Sequence, residues 1–129
     1  MSEQNVKPAF LLVDDDVNQL EVYVELMKSL GIWHLPILAS RDTWLLDLRS
    51  AIQHYSINSV ITDLNMPNFN GFDVLRTMQE VPNLPKRHLI MISGEIDTHM
   101  EYSLRCCNLG AQFLSKPVKL SLLRDLILL

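Results

Sequence analysis

Two cysteines, four glycines and six prolines are all this chain holds of the residues that staple, loosen or break a backbone. Cys106 and Cys107 are adjacent, and vicinal thiols make a strained, uncommon bridge, so both read as free thiols in a reducing, cytosolic compartment. So little Gly and Pro excludes a disordered or repetitive chain. Basic charge is also short: 11 Lys and Arg stand against 15 Asp and Glu, a net charge of -4. That balance excludes a nucleic-acid face and an anchor for anionic membranes, and leaves a protein or a cation as the partner. No apolar stretch approaches the roughly 18 residues of a membrane helix. The polar start, Met1 to Lys7 with Glu3, offers no signal-peptide core. What is present is 129 residues, 48% of them apolar. This is the size of about one domain, read as residues 1–129, and it can bury on the order of two-thirds of its unfolded surface without a disulfide or metal.

Five apolar runs alternate with five stretches of helical period. Phe10, Leu11, Leu12 and Val13 form a bare apolar run that stops at Asp14, Asp15 and Asp16, the pattern of a strand covered on both faces. Val17, Leu20, Val24 and Met27 follow at helical spacing, with Gly31 as the stop. Trp33 to Ala39 is extended but carries Pro36, which suits an edge strand. Ser40 is a candidate cap for the next helix, whose stripe is Trp44, Leu45, Leu48, Ile52 and Tyr55. Ser59 to Thr62 is a short strand ending at Asp63. A loop rich in Pro and Asn then leads to Gly71 and the periodic Phe72, Leu75 and Met78, closed by Pro82 and Pro85. Leu89 to Ile92 is another buried strand, before Ser93, Gly94 and Glu95. Met100, Leu104 and Cys107 mark a thinner helical stripe closed by Asn108 and Gly110, and Ala111 to Ser115 is a last strand before Lys116, Pro117 and a Leu-rich helix. Such alternation predicts an open parallel sheet between two layers of helices, a doubly wound α/β domain.

In these sheets the ligand lies beyond the carboxyl ends of the strands, where strand order reverses. Asp14 and Asp15 follow the first strand, Asp63 the third, Ser93 the fourth and Lys116 the fifth. Three carboxylates in one crevice raise one another's pKa values unless a cation neutralises them. Oxygen ligands without His or Cys point to Mg²⁺ or Mn²⁺, with coordination positions left over for a phosphoryl oxygen. Asp63, alone at its strand end, is the best-placed nucleophile toward phosphorus. The paired Asp14 and Asp15 suit a metal held directly and through water. Lys116 would neutralise phosphoryl oxygens, the Ser93 hydroxyl would donate to them, and Gly94 would leave room for entry. Taken singly, each has an ordinary explanation: an Asp after a strand is commonly a helix cap, and Lys before Pro a solvated loop residue. Helix capping does not require this set of charges at one rim.

The stretches FLLVDDD (Phe10 to Asp16), VITDLNMPNFNGFDVL (Val60 to Leu75), LIMISGE (Leu89 to Glu95) and GAQFLSKP (Gly110 to Pro117) resemble the receiver domain of two-component response regulators. The likeness runs over essentially the whole chain, and the D-x-x-M-P-x-x-x-G run from Asp63 to Gly71 is its most specific part. It implies a flavodoxin-like (βα)5 fold, doubly wound, with a five-stranded parallel sheet in the order 2-1-3-4-5. It further implies that Asp63 is the phospho-acceptor. Asp14, Asp15 and the Asn65 backbone carbonyl would complete the ligands of Mg²⁺ or Mn²⁺. Ser93 and Lys116 match the hydroxyl and the lysine of the family's site, and Phe113 falls where the family has an aromatic ring with inward and outward rotamers. Asn65 and Glu95 occupy the positions that tune dephosphorylation, and they resemble those of stand-alone chemotaxis regulators, which implies a phosphoryl lifetime of seconds to minutes. The implied partner is a histidine kinase or histidine phosphotransfer protein. The implied output is a switch on the surface of the fourth helix, fifth strand and fifth helix. The chain departs from the family pattern at Phe113, which has no hydroxyl, and in the Trp33 to Ala39 segment.

Other readings stand beside this one. A degenerate receiver would bind partners without phosphorylation. A phosphatase of the haloacid-dehalogenase type also uses an aspartate at a strand end with Asp two residues on, as Asp14 and Asp16 are, but Asn18 does not suit that motif and the chain lacks the length for a substrate cap. The last helix, with Leu120, Leu122, Leu123, Leu126, Ile127, Leu128 and Leu129, is more apolar than one buried face requires. It is expected to dock against a second copy, to lead into an output domain beyond residue 129, or to be buried entirely.

Overall fold

A computed structural model describes residues 7–81, 85–94 and 99–129 of the chain. Strands and helices alternate: β1 (Ala9–Asp14), α1 (Val17–Leu30), β2 (Trp33–Leu38), α2 (Trp44–His54), β3 (Ser59–Asp63), α3 (Gly71–Gln79), β4 (His88–Ser93), α4 (His99–Asn108), β5 (Gln112–Ser115) and α5 (Leu120–Leu128). All strand pairs are parallel, in the order β2-β1-β3-β4-β5. This is the doubly wound sheet that the alternation and the resemblance both predict. β2 lies at the edge, where a proline without an N–H is tolerated.

The pleat divides the strand residues between two cores. Phe10, Leu12, Ile61, Ile90 and Ile92 pack with Leu20, Tyr23 and Met27 of α1 and Leu123 and Ile127 of α5. Leu11, Val13, Val60, Met91 and Phe113 pack on the other face with Trp44 and Leu48 of α2, Phe72, Leu75 and Met78 of α3, and Cys106 of α4. The strands lack period-two alternation because both faces are covered. Burying each large aliphatic side chain stabilises the fold by about 1.5–3 kcal/mol relative to exposure.

Four helix expectations are corrected. The outward side of α4 carries Met100, Leu104 and Cys107, with Met100 78% and Leu104 63% exposed, whereas Cys106 is the residue that enters the core, flanked by half-buried Tyr102 and Leu109. Apolar spacing alone finds a stripe but not its direction. Val17 is half exposed, because the buried face of α1 passes instead through Leu20, Tyr23 and Met27. α2 begins after Thr43 rather than Ser40, and Thr43 donates its hydroxyl to Asp47 at 3.2 Å instead of capping a backbone N–H. α5 is not buried entirely: Leu123 and Ile127 point inward while Leu120, Leu122, Leu128 and Leu129 are exposed. Gly31 does stop α1, in the left-handed conformation with φ 66° that favours glycine. Both cysteines are free, Cys106 buried and Cys107 exposed. Pro82 and Glu95 lie outside the described residues.

Candidate functional site

Because β1 and β3 adjoin, Asp14 and Asp63 end neighbouring strands at the point where strand order reverses. Both are buried, Asp14 1% and Asp63 7% exposed, while Asp15 is exposed at the mouth. One carboxylate oxygen from each of Asp14, Asp15 and Asp63 lies within 4.8 Å of the others. Lys116, following β5, reaches across so that its Nζ stands 3.1 Å from Asp63 Oδ1. Ser93 ends β4 beside them, fully buried, with its carbonyl accepting from the Lys116 N–H at 2.8 Å. Five of the residues singled out in the sequence therefore converge on one rim.

Local structure fixes each group. Asp14 Oδ1 accepts from the Asp16 N–H at 2.9 Å, turning the carboxylate toward the crevice. Asp16 is the cap of α1, accepting from the Asn18 N–H at 2.9 Å. The pair of aspartates that a haloacid-dehalogenase site would need is therefore not assembled. After Asp63 the chain turns through an exposed loop holding Asn65, and α3 starts on a capping box in which Asn70 and Asp73 accept from each other's N–H. Gly71 shows what the sequence pattern only hinted at. A Cβ there would lie 2.5 Å from Met91 Sδ and 2.6 Å from the Asp63 carbonyl, and its own N–H donates to the Leu64 carbonyl at 2.8 Å. Only glycine lets α3 begin directly against the Asp63 backbone. The signal was present, a glycine opening a helix, but the distance is a tertiary fact. Gly94 is looser: a Cβ would meet nothing nearer than Lys116 Cδ at 4.0 Å.

The electrostatics follow from burial. Loss of solvation pushes the Asp14 carboxyl up to about 6, and the Asp63 charge adds to this, while the Asp16 N–H and Lys116 oppose it. Burial also raises Asp63, against the attraction of Lys116. Burial alone would lower Lys116, but the charge of Asp63, with Asp14 and Asp15 behind it, leaves its ammonium above the ordinary lysine value. Tyr23 lies beneath the rim, fully buried, and its phenol is held neutral first by burial and then by the charges of Asp14 and Asp63.

With all carboxyls ionised, three negative charges meet one positive charge, so the rim carries a local excess of two. Among the described residues, Asp14 Oδ2 is buried without a hydrogen-bond partner. An orphaned anionic oxygen in an all-oxygen cluster is the environment a hard divalent cation satisfies. The cluster is thus able to bind a metal. Phe113 is buried on the α3–α4 side of the sheet.

Comparison with known proteins agrees. The family model for the response regulator receiver domain matches residues 10–128. A two-component response regulator of Arabidopsis thaliana, ARR17, is 39% identical over 67 residues, which cover 50% of this chain and 42% of that protein. The chemotaxis protein CheV2 of Helicobacter pylori is 34% identical over 70 residues, 54% of this chain and 22% of that one. The chain thus spans less than half the length of either relative. Among solved structures, a response regulator receiver protein from Pseudomonas putida superposes with a TM-score of 0.74 at 28% identity, covering 95% of this chain and 96% of that one. The BeF3-activated DrrB receiver domain shares the fold, with a TM-score of 0.70 at 21% identity over 93% of each chain. Sheet order, acidic crevice, lysine and family match converge, and the chain belongs to the receiver domains of two-component response regulators.

Proposed function

We propose that the chain accepts a phosphoryl group on Asp63 from a phosphohistidine of a histidine kinase or histidine phosphotransfer protein, and releases it again by hydrolysis. The observation that carries this reading is the Asp63–Lys116 contact of 3.1 Å inside a rim that holds two further carboxylates. A carboxylate oxygen of Asp63 attacks phosphorus as the bond to the donor imidazole breaks, and the imidazole keeps that bond's electrons. Lys116 then moves its charge from the carboxylate to the phosphoryl oxygens, and the Ser93 hydroxyl donates to them. Asp14, Asp15, Asp63 and the Asn65 carbonyl are the ligands proposed for Mg²⁺ (Mn²⁺ is equally hard), which when bound neutralises the rim and the incoming group. Asn65, exposed two residues beyond Asp63, and Glu95 are the residues proposed to set how fast water removes the group.

The new charge biases the surface of α4, β5 and α5, through which a partner, a second copy or an output domain beyond residue 129 would read the state. In this reading residues 1–129 act as one signalling unit, with no catalysis beyond its own phosphotransfer and dephosphorylation. Among the described residues no helix is long and apolar enough to cross a membrane, and a cytoplasmic location is part of the proposal. Intact-mass spectrometry after incubation with Mg²⁺ and acetyl phosphate tests it. One added phosphoryl group, absent from Asp63→Asn and from a chelated sample, is expected. No adduct on the wild type, together with no binding of beryllofluoride, would support a phosphorylation-independent interaction module instead.

A further inference from the structure

The ring of Phe113 does not stand alone. Its centroid is 5.9 Å from that of Tyr102, with the planes tilted by 52°. Tyr102 in turn lies 5.7 Å from Phe72 at 58°, and the Arg105 guanidinium carbon sits 3.8 Å from the Phe72 ring centroid. Tilted pairs at these separations are attractive beyond the area they bury, and a guanidinium over a ring face adds to them. Tyr102 and Arg105 belong to α4, whereas Phe72 opens α3 beside the Asp63 loop. The Gln79 side-chain amide, at the end of α3, also donates to the Leu109 carbonyl just after α4. The two helices are therefore joined at two places, one of them the Phe72–Tyr102 pair next to Phe113.

We propose that Tyr102 and Arg105 are positioning residues which, with Phe72, seat Phe113 inward before any phosphoryl group arrives. The proposal deepens the receiver reading above and rests on it. Phe113 is only 9% exposed, held there by contacts among unmodified side chains. Turning it outward would break its pairing with Tyr102, leave a void in the core and place an apolar ring in water. A tyrosine would have a hydroxyl to take to solvent in exchange, and phenylalanine has none. A ligand shifts an equilibrium only by its differential affinity for the two states. With the inward rotamer already dominant, phosphorylation biases the surface of α4, β5 and α5 with little contribution from the Phe113 rotamer.

Nuclear Overhauser contacts between the Phe113 and Tyr102 rings, measured with selectively labelled protein, provide the test. They are expected in the free protein and unchanged after addition of Mg²⁺ and beryllofluoride. Tyr102→Ala is expected to weaken beryllofluoride binding by roughly threefold to tenfold, the factor one aromatic pair is worth, and Tyr102→Phe to restore it. Contacts that appear only with beryllofluoride would overturn the proposal, and so would a Tyr102→Ala protein that is folded and binds beryllofluoride as tightly as the wild type. Beryllofluoride that fails to bind the wild type counts against phosphorylation at Asp63. The ring contacts in the free protein decide the seat independently.

Discussion

Replacing Asp14 by asparagine should make the metal-free protein more stable at neutral pH, although it removes a site residue. The Asp14 carboxyl is 1% exposed, and burial raises it from 3.8 to about 6. A shift of that size corresponds to about 3 kcal/mol, at roughly 1.4 kcal/mol per unit. The sign follows from linkage. In the unfolded chain Asp14 loses its proton near 3.8, and in the folded protein near 6. Stability from this group is therefore fully present below 3.8, is lost as pH rises through about 6, and is missing above it. The amide of the Asp14→Asn variant would still accept from the Asp16 N–H but carries no charge to desolvate. In a chelating buffer near pH 7.5 the variant should gain on the order of 2–3 kcal/mol, or several degrees in Tm for a domain of this size. Near pH 4 the gain should vanish. Mg²⁺ closes the gap: at one hundred times its Kd a ligand stabilises by about 2.7 kcal/mol, and the wild type should collect that increment while Asp14→Asn loses most of it, leaving the two about equal. Thermal melts of both proteins at two pH values, with and without Mg²⁺, make the comparison. A variant less stable than wild type at pH 7.5 without metal, or equally improved near pH 4, would refute the reasoning.

Three further outcomes are expected. Gly71→Ala should destabilise by about 1–3 kcal/mol in urea unfolding, because its Cβ would press on the Asp63 carbonyl as well as on the more flexible Met91 thioether; a loss under about 0.5 kcal/mol, the ordinary range of a surface substitution, would show that α3 shifts freely. His88 stacks on Phe10 at 5.9 Å with its Nε2 buried and without a partner among the described residues, and burial, aided by Arg87, lowers its pKa from 6.5. Folding stability from this group should be present above pH 6.5 and fall on acidification, and His88→Phe should flatten that part of the stability profile. A maleimide should label one thiol in the folded protein and two after unfolding, since Cys107 is exposed while burial pushes the Cys106 thiol up to about 11; rapid double labelling of folded protein would contradict the burial of Cys106 on the inward face of α4.

Much of this protein was legible in the amino-acid order. Bare apolar runs ending in Asp14, Asp63 and Ser93 marked both the strands and their polar ends, because a strand covered on two faces has no reason to alternate and its exit is where polar groups return. Gly31, with the helical period before it, marked the end of α1 for a local reason, the φ of 66° that a side chain resists.

The direction of a helical face was not legible. Met100, Leu104 and Cys107 share a spacing that fits burial as well as exposure, and only the packing of α4 on the sheet turned Cys106 inward. Asp14, Asp15 and Asp16 are equivalent as neighbours in the chain. The β1–β3 pairing sets Asp14 beside Asp63, leaves Asp15 at the mouth and makes Asp16 the cap of α1. The burial that lifts the Asp14 pKa, the contact at Gly71 and the seat beneath Phe113 all join residues far apart in sequence. Spacing along the chain carries the local rules of strand, cap and turn. Distances between segments exist only once the sheet has assembled, and on those distances the chemistry of the site depends.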